Sequence, residues 1–252
     1  MKKLLAVLLS VLIITLPISA GRHFDEVDDD IQVSDSADLT FPDATDWTVA
    51  GWFRLDDNTG GDFQYFLSWG GAGDVNTFNC FVRETGTGTD PNKLSCDIRD
   101  IFGNPLILTS STTPGTSTNW QFFLLDFDDD ASPKKLTMYI DSVEVATDTS
   151  TGYSEVNRTS NWFFGSRSDG NVDRFFGGDL ANWARWDRSM TPGERLALSK
   201  GLSPAMIPGA TWFYPFWGAG SPEPDLAGAI VDNGTVTGAT ASDHCPCRSY
   251  KP

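Results

Sequence analysis

Carboxylates dominate the ionisable side chains of this chain, with 34 Asp and Glu against 18 Lys and Arg. Carboxylate chemistry therefore comes first. Cleaving a glycosidic bond needs two carboxyl groups flanking it, one as acid and one as nucleophile or base. The six glutamates, Glu26, Glu84, Glu144, Glu155, Glu194 and Glu223, never fall as a pair on neighbouring positions of one strand. The densest acidic run is Asp126-Phe127-Asp128-Asp129-Asp130. Asp126 and Asp128 share a face if a strand continues through them. With no glutamate acid beside them, we expect a strand end running into a solvated acidic turn. His23 and His244 lie near opposite ends, and neither has a nucleophile motif such as G-x-S-x-G beside it. No phosphate-binding loop, dinucleotide fingerprint or H-E-x-x-H occurs. We expect no catalytic site.

Binding chemistry is better represented. Nine tryptophans are present. Trp47, Trp52, Trp120, Trp162 and Trp186 lie in strand patterns and are expected in the core. Trp69, before Gly70-Gly71, and Trp217, before Gly218-Ala219-Gly220, stand at strand ends. They are the candidate stacking platforms for sugar rings, with packing under a loop as the competing expectation. Of the four cysteines, Cys80 and Cys96 flank the loop ETGTGTDPN. Strands pairing about its midpoint bring them opposite each other, which predicts a cross-strand disulfide. Cys245-Pro246-Cys247 would make a strained ring; free thiols, a bridge to another chain and a weak metal site all stay open.

The surrounding chain sets compartment and partners. Lys2-Lys3, the apolar run Leu4 to Leu16 and the small-residue exit Pro17-Ile18-Ser19-Ala20 read as a secretory signal over residues 1–20, cleaved after Ala20. The run is shorter than the roughly 20 apolar residues a membrane span requires. The mature chain is therefore expected outside the cytoplasm and free of the membrane. Formal charge is −16, and −18 once Lys2 and Lys3 leave with the signal. Such an acidic surface argues against nucleic acid and anionic membranes. It suits a secreted protein that must stay soluble, and it is compatible with divalent cations.

The elements that position these residues are strands. Runs at 47–55, 63–69, 77–84, 93–99, 105–109, 119–127, 136–140, 143–147, 162–166 and 211–216 carry strand patterns, with shorter ones at 22–24 and 30–33. The stretch from Phe176 alternates, with Phe176, Gly178, Leu180, Asn182, Ala184 and Trp186 predicted on one face and Gly177, Asp179, Ala181, Trp183, Arg185 and Asp187 on the other. One helix is marked near Thr191–Lys200. Thr191 is the N-cap, Pro192 takes the first helical position, Glu194 closes a capping box, and Gly201 follows the end. This predicts an all-β antiparallel sandwich of two sheets, with the helix covering an edge or end. A single domain over 21–244 and a loose tail over 245–252 complete the expected organisation.

Four segments in order resemble the laminin G-like, concanavalin A-like lectin/glucanase jelly-roll family. They are Phe24 to Ile31 (FDEVDDDI), Trp47 to Phe53 (WTVAGWF), Leu136 to Ala146 (LTMYIDSVEVA), and Phe176 to Leu180 continuing through Arg185-Trp186-Asp187-Arg188 to Met190-Thr191. Glu26 stands where the family has glycine, and Asp141-Ser142 where it has Asn-Gly. Residues 234–240, GTVTGAT, look like an element common beside such domains. The resemblance implies two antiparallel sheets. It also implies a structural calcium ion between the first and last strands, with Asp25, Asp28 and Asp179 at the matching positions; hard oxygen ligands suit Ca²⁺. The E-x-D-x-E pattern of catalytic relatives is absent. The expected function is a secreted, non-catalytic binding or adhesion protein for a glycan or a cell-surface protein. A structural subunit of a virion or extracellular assembly is the alternative, and a glycoside hydrolase stands third. Fold alone does not choose among them.

Overall fold

The computed structural model describes residues 21–36, 39, 41, 45–56, 63–70, 77–83, 92–113, 119–154, 160–167, 174–217, 220–227, 232–242 and 245–246. The signal sequence, His244, Cys247 and the rest of the expected tail lie outside them. Among the described residues, fifteen strands form two antiparallel sheets. The first, of eight strands, contains β1 (Gly21–Asp25), β3 (Trp47–Leu55), β8 (Gln121–Asp128), β9 (Lys134–Ile140), β10 (Val143–Ser150), β12 (Gly177–Trp186), β13 (Ala210–Tyr214) and β15 (Thr240–Ser242). Its order is β10-β9-β8-β3-β12-β1-β15, with β13 beside the second half of β12. The second has seven: β2 (Asp30–Val33), β4 (Phe63–Trp69), β5 (Thr77–Arg83), β6 (Leu94–Arg99), β7 (Pro105–Thr109), β11 (Trp162–Phe164) and β14 (Gly234–Thr237), in the order β14-β2-β11-β4-β5-β6-β7. The expected all-β sandwich with one α-helix is what forms.

Between the sheets lies an aromatic core. Phe41 packs on Trp47 with ring centres 4.5 Å apart, and Trp69 lies 6.0 Å from Trp162. Alternation puts every second side chain of β5 and β6 into this layer: Phe78, Cys80 and Val82, then Leu94, Cys96 and Ile98. Cys80 and Cys96 are register partners with Cα atoms 4.2 Å apart and form the expected disulfide.

β12 is buried along its whole length, and it departs from simple alternation. Asn182 adopts φ +52°, and the pairing with β3 slips between Ala181 and Ala184. Such a bulge shifts every later side chain to the opposite face. Leu180 and Trp183 therefore both enter the core between the sheets, while Ala181, Ala184 and Trp186 face outward together. The predicted pairing of Leu180 with Ala184 and Trp186 on one face fails for that reason. Gly178, at φ +147°, is fixed by contact: a Cβ there would sit 2.1 Å from the Arg54 carbonyl oxygen.

α1 spans Pro192–Ser199 and forms the predicted capping box. The Thr191 hydroxyl accepts from the Glu194 N–H at 3.3 Å, and the Glu194 carboxylate accepts from the Thr191 N–H at 2.9 Å. Gly201 follows at φ +89°. The helix covers a face of the first sheet instead of an edge or end. Leu198 packs with Trp52, Phe122, Leu124 and Trp186, and the Arg195 guanidinium lies 4.4 Å from the Tyr139 ring centre. Residues 234–242 are also integral, since β14 extends one sheet beside β2 and β15 the other beside β1. Cys245, placed in the loose tail by sequence, is buried in the layer beneath α1 and accepts from Asn182 Nδ2 at 3.1 Å.

Candidate functional site

The outward face of the second sheet carries what the inward face does not. On β4 it presents Phe63 and Tyr65, on β5 Thr77, Asn79 and Phe81, and on β6 Asp97 and Arg99. Cross-strand register aligns Tyr65 with Phe81, Asn79 with Asp97, and Thr77 with Arg99. Arg167 and Arg174 reach the same place from the segments following β11 and preceding β12, which an isolated bridge between Ser166 and Phe175 ties together. These side chains line a recess of about 240 Å³.

Its floor is aromatic. Tyr65 and Phe81 have ring centres 4.9 Å apart, and Phe63 meets Phe81 edge-on at 5.3 Å. Above it, the Arg174 guanidinium lies 5.5 Å from the Phe63 ring and 5.8 Å from that of Tyr65, and Arg167 lies 5.6 Å from Tyr65. Such stacking holds a guanidinium plane in place while leaving its N–H edge outward. Arg174 Nη1 also donates to the Tyr65 hydroxyl at 3.2 Å. Arg99 grips Asp97 with two parallel bonds, Nε to Oδ1 at 2.9 Å and Nη2 to Oδ2 at 3.0 Å. Among the described residues, Arg174 Nε and Asn79 Oδ1 are buried atoms with no hydrogen-bond partner. The described lining residues include three guanidinium groups and one carboxylate, in a chain whose formal charge is −16. Stacked aromatics, fixed guanidiniums and an amide suit a small polar ring that carries an anionic group.

The sequence candidates fare differently. Trp69 is 0% exposed, packed against Phe41 and Trp162, and is no stacking platform. It lies on the inward face of β4, in the layer that fills the sandwich. Trp217 is 41% exposed, and its backbone N–H donates to Glu223 Oε1 at 3.1 Å; it does not line the recess. Glu223 is itself fully buried against Arg22, whose Nη2 lies 2.9 Å from Oε2. Asp126 is a structural acceptor, taking the Thr48 hydroxyl at 2.6 Å and the Met190 N–H at 3.2 Å. Burial pushes its carboxyl above the usual range.

The three expected calcium ligands are divided. Asp25 and Asp28 gather with Asp29 at the turn after β1. There Asp25 Oδ1 accepts the Val27 N–H and Asp29 Oδ2 the Asp25 N–H. Burial raises the Asp29 carboxyl, and the charges of Asp25 and Asp28 add to the rise. Asp179 belongs to a second group. It sits opposite His23 in the β1–β12 register, and Arg54 Nε binds its Oδ2 at 2.6 Å. Its partners are a guanidinium and an imidazole, so the donors available for calcium at the turn are Asp25, Asp28 and Asp29.

The arginines of the recess escaped the sequence reading. The signal that points to Arg99, Asp97 and Asn79 is their alternation with the inward Ile98, Cys96 and Cys80 of the cysteine-bearing hairpin. Arg167 and Arg174 carried no signal, because they meet the sheet through a connection between strands.

Two antiparallel sheets packed over a shared aromatic core define the chain as a jelly-roll sandwich. A family profile, laminin G-like and described as the concanavalin A-like lectin/glucanases superfamily, matches residues 25–194, and the chain belongs to that superfamily. No curated protein matches the chain in sequence. Among solved structures it is similar to a candidate carbohydrate-binding protein from Bacteroides ovatus, with a TM-score of 0.64 and 19% identity. That alignment covers 89% of this chain and 60% of the other, so the chain spans about three fifths of that relative. It is similar to a heptameric SAP-like pentraxin from Limulus polyphemus, with a TM-score of 0.55 and 10% identity over 87% of this chain and 97% of that one. A sialidase CBM40 domain from Ruminococcus gnavus, bound to α2,3-sialyllactose, gives a TM-score of 0.53 and 15% identity over 71% and 96% of the two chains. At these identities the likeness concerns the fold.

Proposed function

We propose that this protein is a secreted, non-catalytic glycan-binding or adhesion protein, and that the recess on the outer face of the second sheet takes a sugar bearing a carboxylate. The observation that carries the reading is the cluster of Arg99, Arg167 and Arg174 over Phe63, Tyr65 and Phe81 in a strongly acidic chain. Guanidiniums pair with carboxylates in two-pronged fashion, and aromatic rings accept the apolar face of a pyranose. The carbohydrate-binding descriptions attached to the Bacteroides and Ruminococcus structures support the same class of ligand. The signal pattern of residues 1–20 supports secretion. A structural calcium ion at Asp25, Asp28 and Asp29 belongs to the same reading, with Asp179 left out of it.

The test is calorimetric titration with sialyllactose and with neutral lactose. Sialyllactose should bind and lactose should not. Arg174→Ala should weaken binding by about ten- to a hundredfold, the usual worth of a hydrogen bond to a charged group. Equal binding of the two sugars would remove the anionic specificity. Binding of neither, on an array that also holds uronic-acid glycans, would remove the glycan reading.

A further inference from the structure

A second polar group lies far from the recess, on the outer face of the first sheet. Across three adjacent strands, His23 on β1 stands opposite Asp179 on β12, and Asp179 stands opposite Arg54 on β3. Asp56 follows one residue past β3 and returns to the same place, because its N–H donates to the Gly177 carbonyl at 3.2 Å. His23 Nδ1 is 3.3 Å from Asp179 Oδ1 and 3.7 Å from Asp56 Oδ2. The donor atoms of all three side chains lie within 4.8 Å of one another.

From this geometry we infer that His23, Asp56 and Asp179 form a binding site for a borderline divalent metal ion of the zinc class. Four arguments converge. First, tetrahedral zinc with bonds of about 2.0–2.2 Å to nitrogen and oxygen holds its ligands roughly 3.3–3.5 Å apart. The two separations at His23 Nδ1 bracket that range closely. Second, Asp179 is buried, and its Oδ1 makes no hydrogen bond among the described residues, its contact being His23 Nδ1 at 3.3 Å. A buried carboxylate oxygen without a hydrogen bond is costly, and a cation between it and the imidazole would relieve that cost. Third, Asp179 is prepared as a ligand: Oδ2 is held by Arg54 Nε at 2.6 Å, and the Arg54 guanidinium is itself stacked 5.3 Å from the Trp120 ring centre. Outer-shell bonds of this kind fix a ligating carboxylate and leave one oxygen for the metal. Fourth, one imidazole and two carboxylates are a donor set for zinc and its neighbours, whereas calcium takes six to eight oxygens. Three protein ligands, with Asp56 half-exposed, leave a fourth position for solvent or a ligand group.

The inference stands apart from the glycan reading and can fail alone. The experiment is titration of the chelator-stripped protein with zinc chloride, read by calorimetry and by thermal melting. One ion per chain should bind, the melting temperature should rise, and millimolar calcium should not displace the zinc. His23→Gln and Asp56→Asn should each weaken zinc binding about tenfold or more, while circular dichroism confirms the fold. Asp25→Asn with Asp28→Asn should leave zinc binding unchanged, which separates this site from the acidic turn. No zinc binding would overturn the inference. So would stoichiometric binding that survives His23→Gln and Asp56→Asn, since the ion would then sit elsewhere. In that case the His23 contacts with Asp179 and Asp56 hold no ion.

Discussion

The two sheets are built alike and finished differently on their outer faces. The first is sealed over Ala50, Trp52, Phe122, Leu124, Ala184 and Trp186 by α1, by the 3₁₀ turn at Pro204–Met206 with the Ile207 that follows, and by Cys245. The second turns Tyr65, Asn79, Asp97 and Arg99 outward, with Arg167 and Arg174 standing over the same surface. The difference is already in the residues of the central strands. β3 and β8 are apolar on both faces, so each side must be covered. β5 and β6 alternate, so one side has to stay polar. In this molecule one outer face is sealed by apolar packing, and the recess lies on the face that stays polar.

The largest test of that contrast removes the anchor of the sealed face. Trp186 is fully buried and donates its indole N–H to the Ile207 carbonyl at 3.3 Å. Trp186→Ala should cost about 3–5 kcal/mol in urea unfolding, the usual loss for a buried aromatic. Ile107→Ala, on the open face and 43% exposed, should change stability by no more than about 0.5 kcal/mol. Comparable losses at the two positions would end the distinction between a sealed and an open face.

The disulfide is a smaller test. Cys80 and Cys96 lie on the inward side of β5 and β6, directly behind Asn79, Phe81 and Asp97. Replacing both by alanine should lower stability by about 2–4 kcal/mol, less if the hairpin is already rigid. Sugar affinity should fall less than it does in Arg174→Ala, because the register that aligns the recess is also held by the ladder hydrogen bonds. An unchanged unfolding midpoint would show that the bridge constrains nothing the strands do not already hold.

Much of this fold was legible because its signals are local. The Thr191 cap with Glu194, the Cys80–Cys96 hairpin and the Asp141-Ser142 turn are each set by residues close in sequence. Both turn residues do take positive φ, +51° and +68°, as a tight turn of this kind requires. Glu26 takes +66° where the family has glycine. What the sequence hid is non-local. The slip at Asn182 follows from β12 having to serve β3 on one side and both β1 and β13 on the other. Trp69 and Trp217 look equivalent as tryptophans before glycines, yet one faces the core and the other solvent. Asp25 and Asp179 do meet neighbouring strand positions, but Arg54, 125 residues from Asp179, decides what Asp179 can bind. The recess draws on five separate segments, and only the β5–β6 part of it alternates visibly.

The smallest effects concern how the sealing helix begins. Thr191→Ala removes the acceptor for the Glu194 N–H and should cost about 1 kcal/mol. Glu194 carries a pH dependence as well. Arg188 donates to both of its oxygens, at 3.0 and 2.6 Å, and this pair, with the Thr191 bonds, holds its carboxyl down at about 2 against an ordinary 4.5. A carboxyl depressed on folding stabilises the folded state above its unfolded pKa, and that stability is lost as pH falls toward the folded value. The Glu194 contribution should therefore be intact above about pH 4.5 and disappear between there and about pH 2. Many other carboxylates titrate in the same window, so the informative quantity is a difference. The melting temperature of the native protein minus that of Glu194→Gln should be positive at pH 6 and shrink steadily below pH 4.5. A difference that stays constant with pH would mean that the Arg188 pair is exchanged for water at no cost. The helix would then be held on the sheet by its other contacts, the Leu198 packing, the Arg195 guanidinium over Tyr139 and the Ser142 hydroxyl bond to the Arg195 carbonyl.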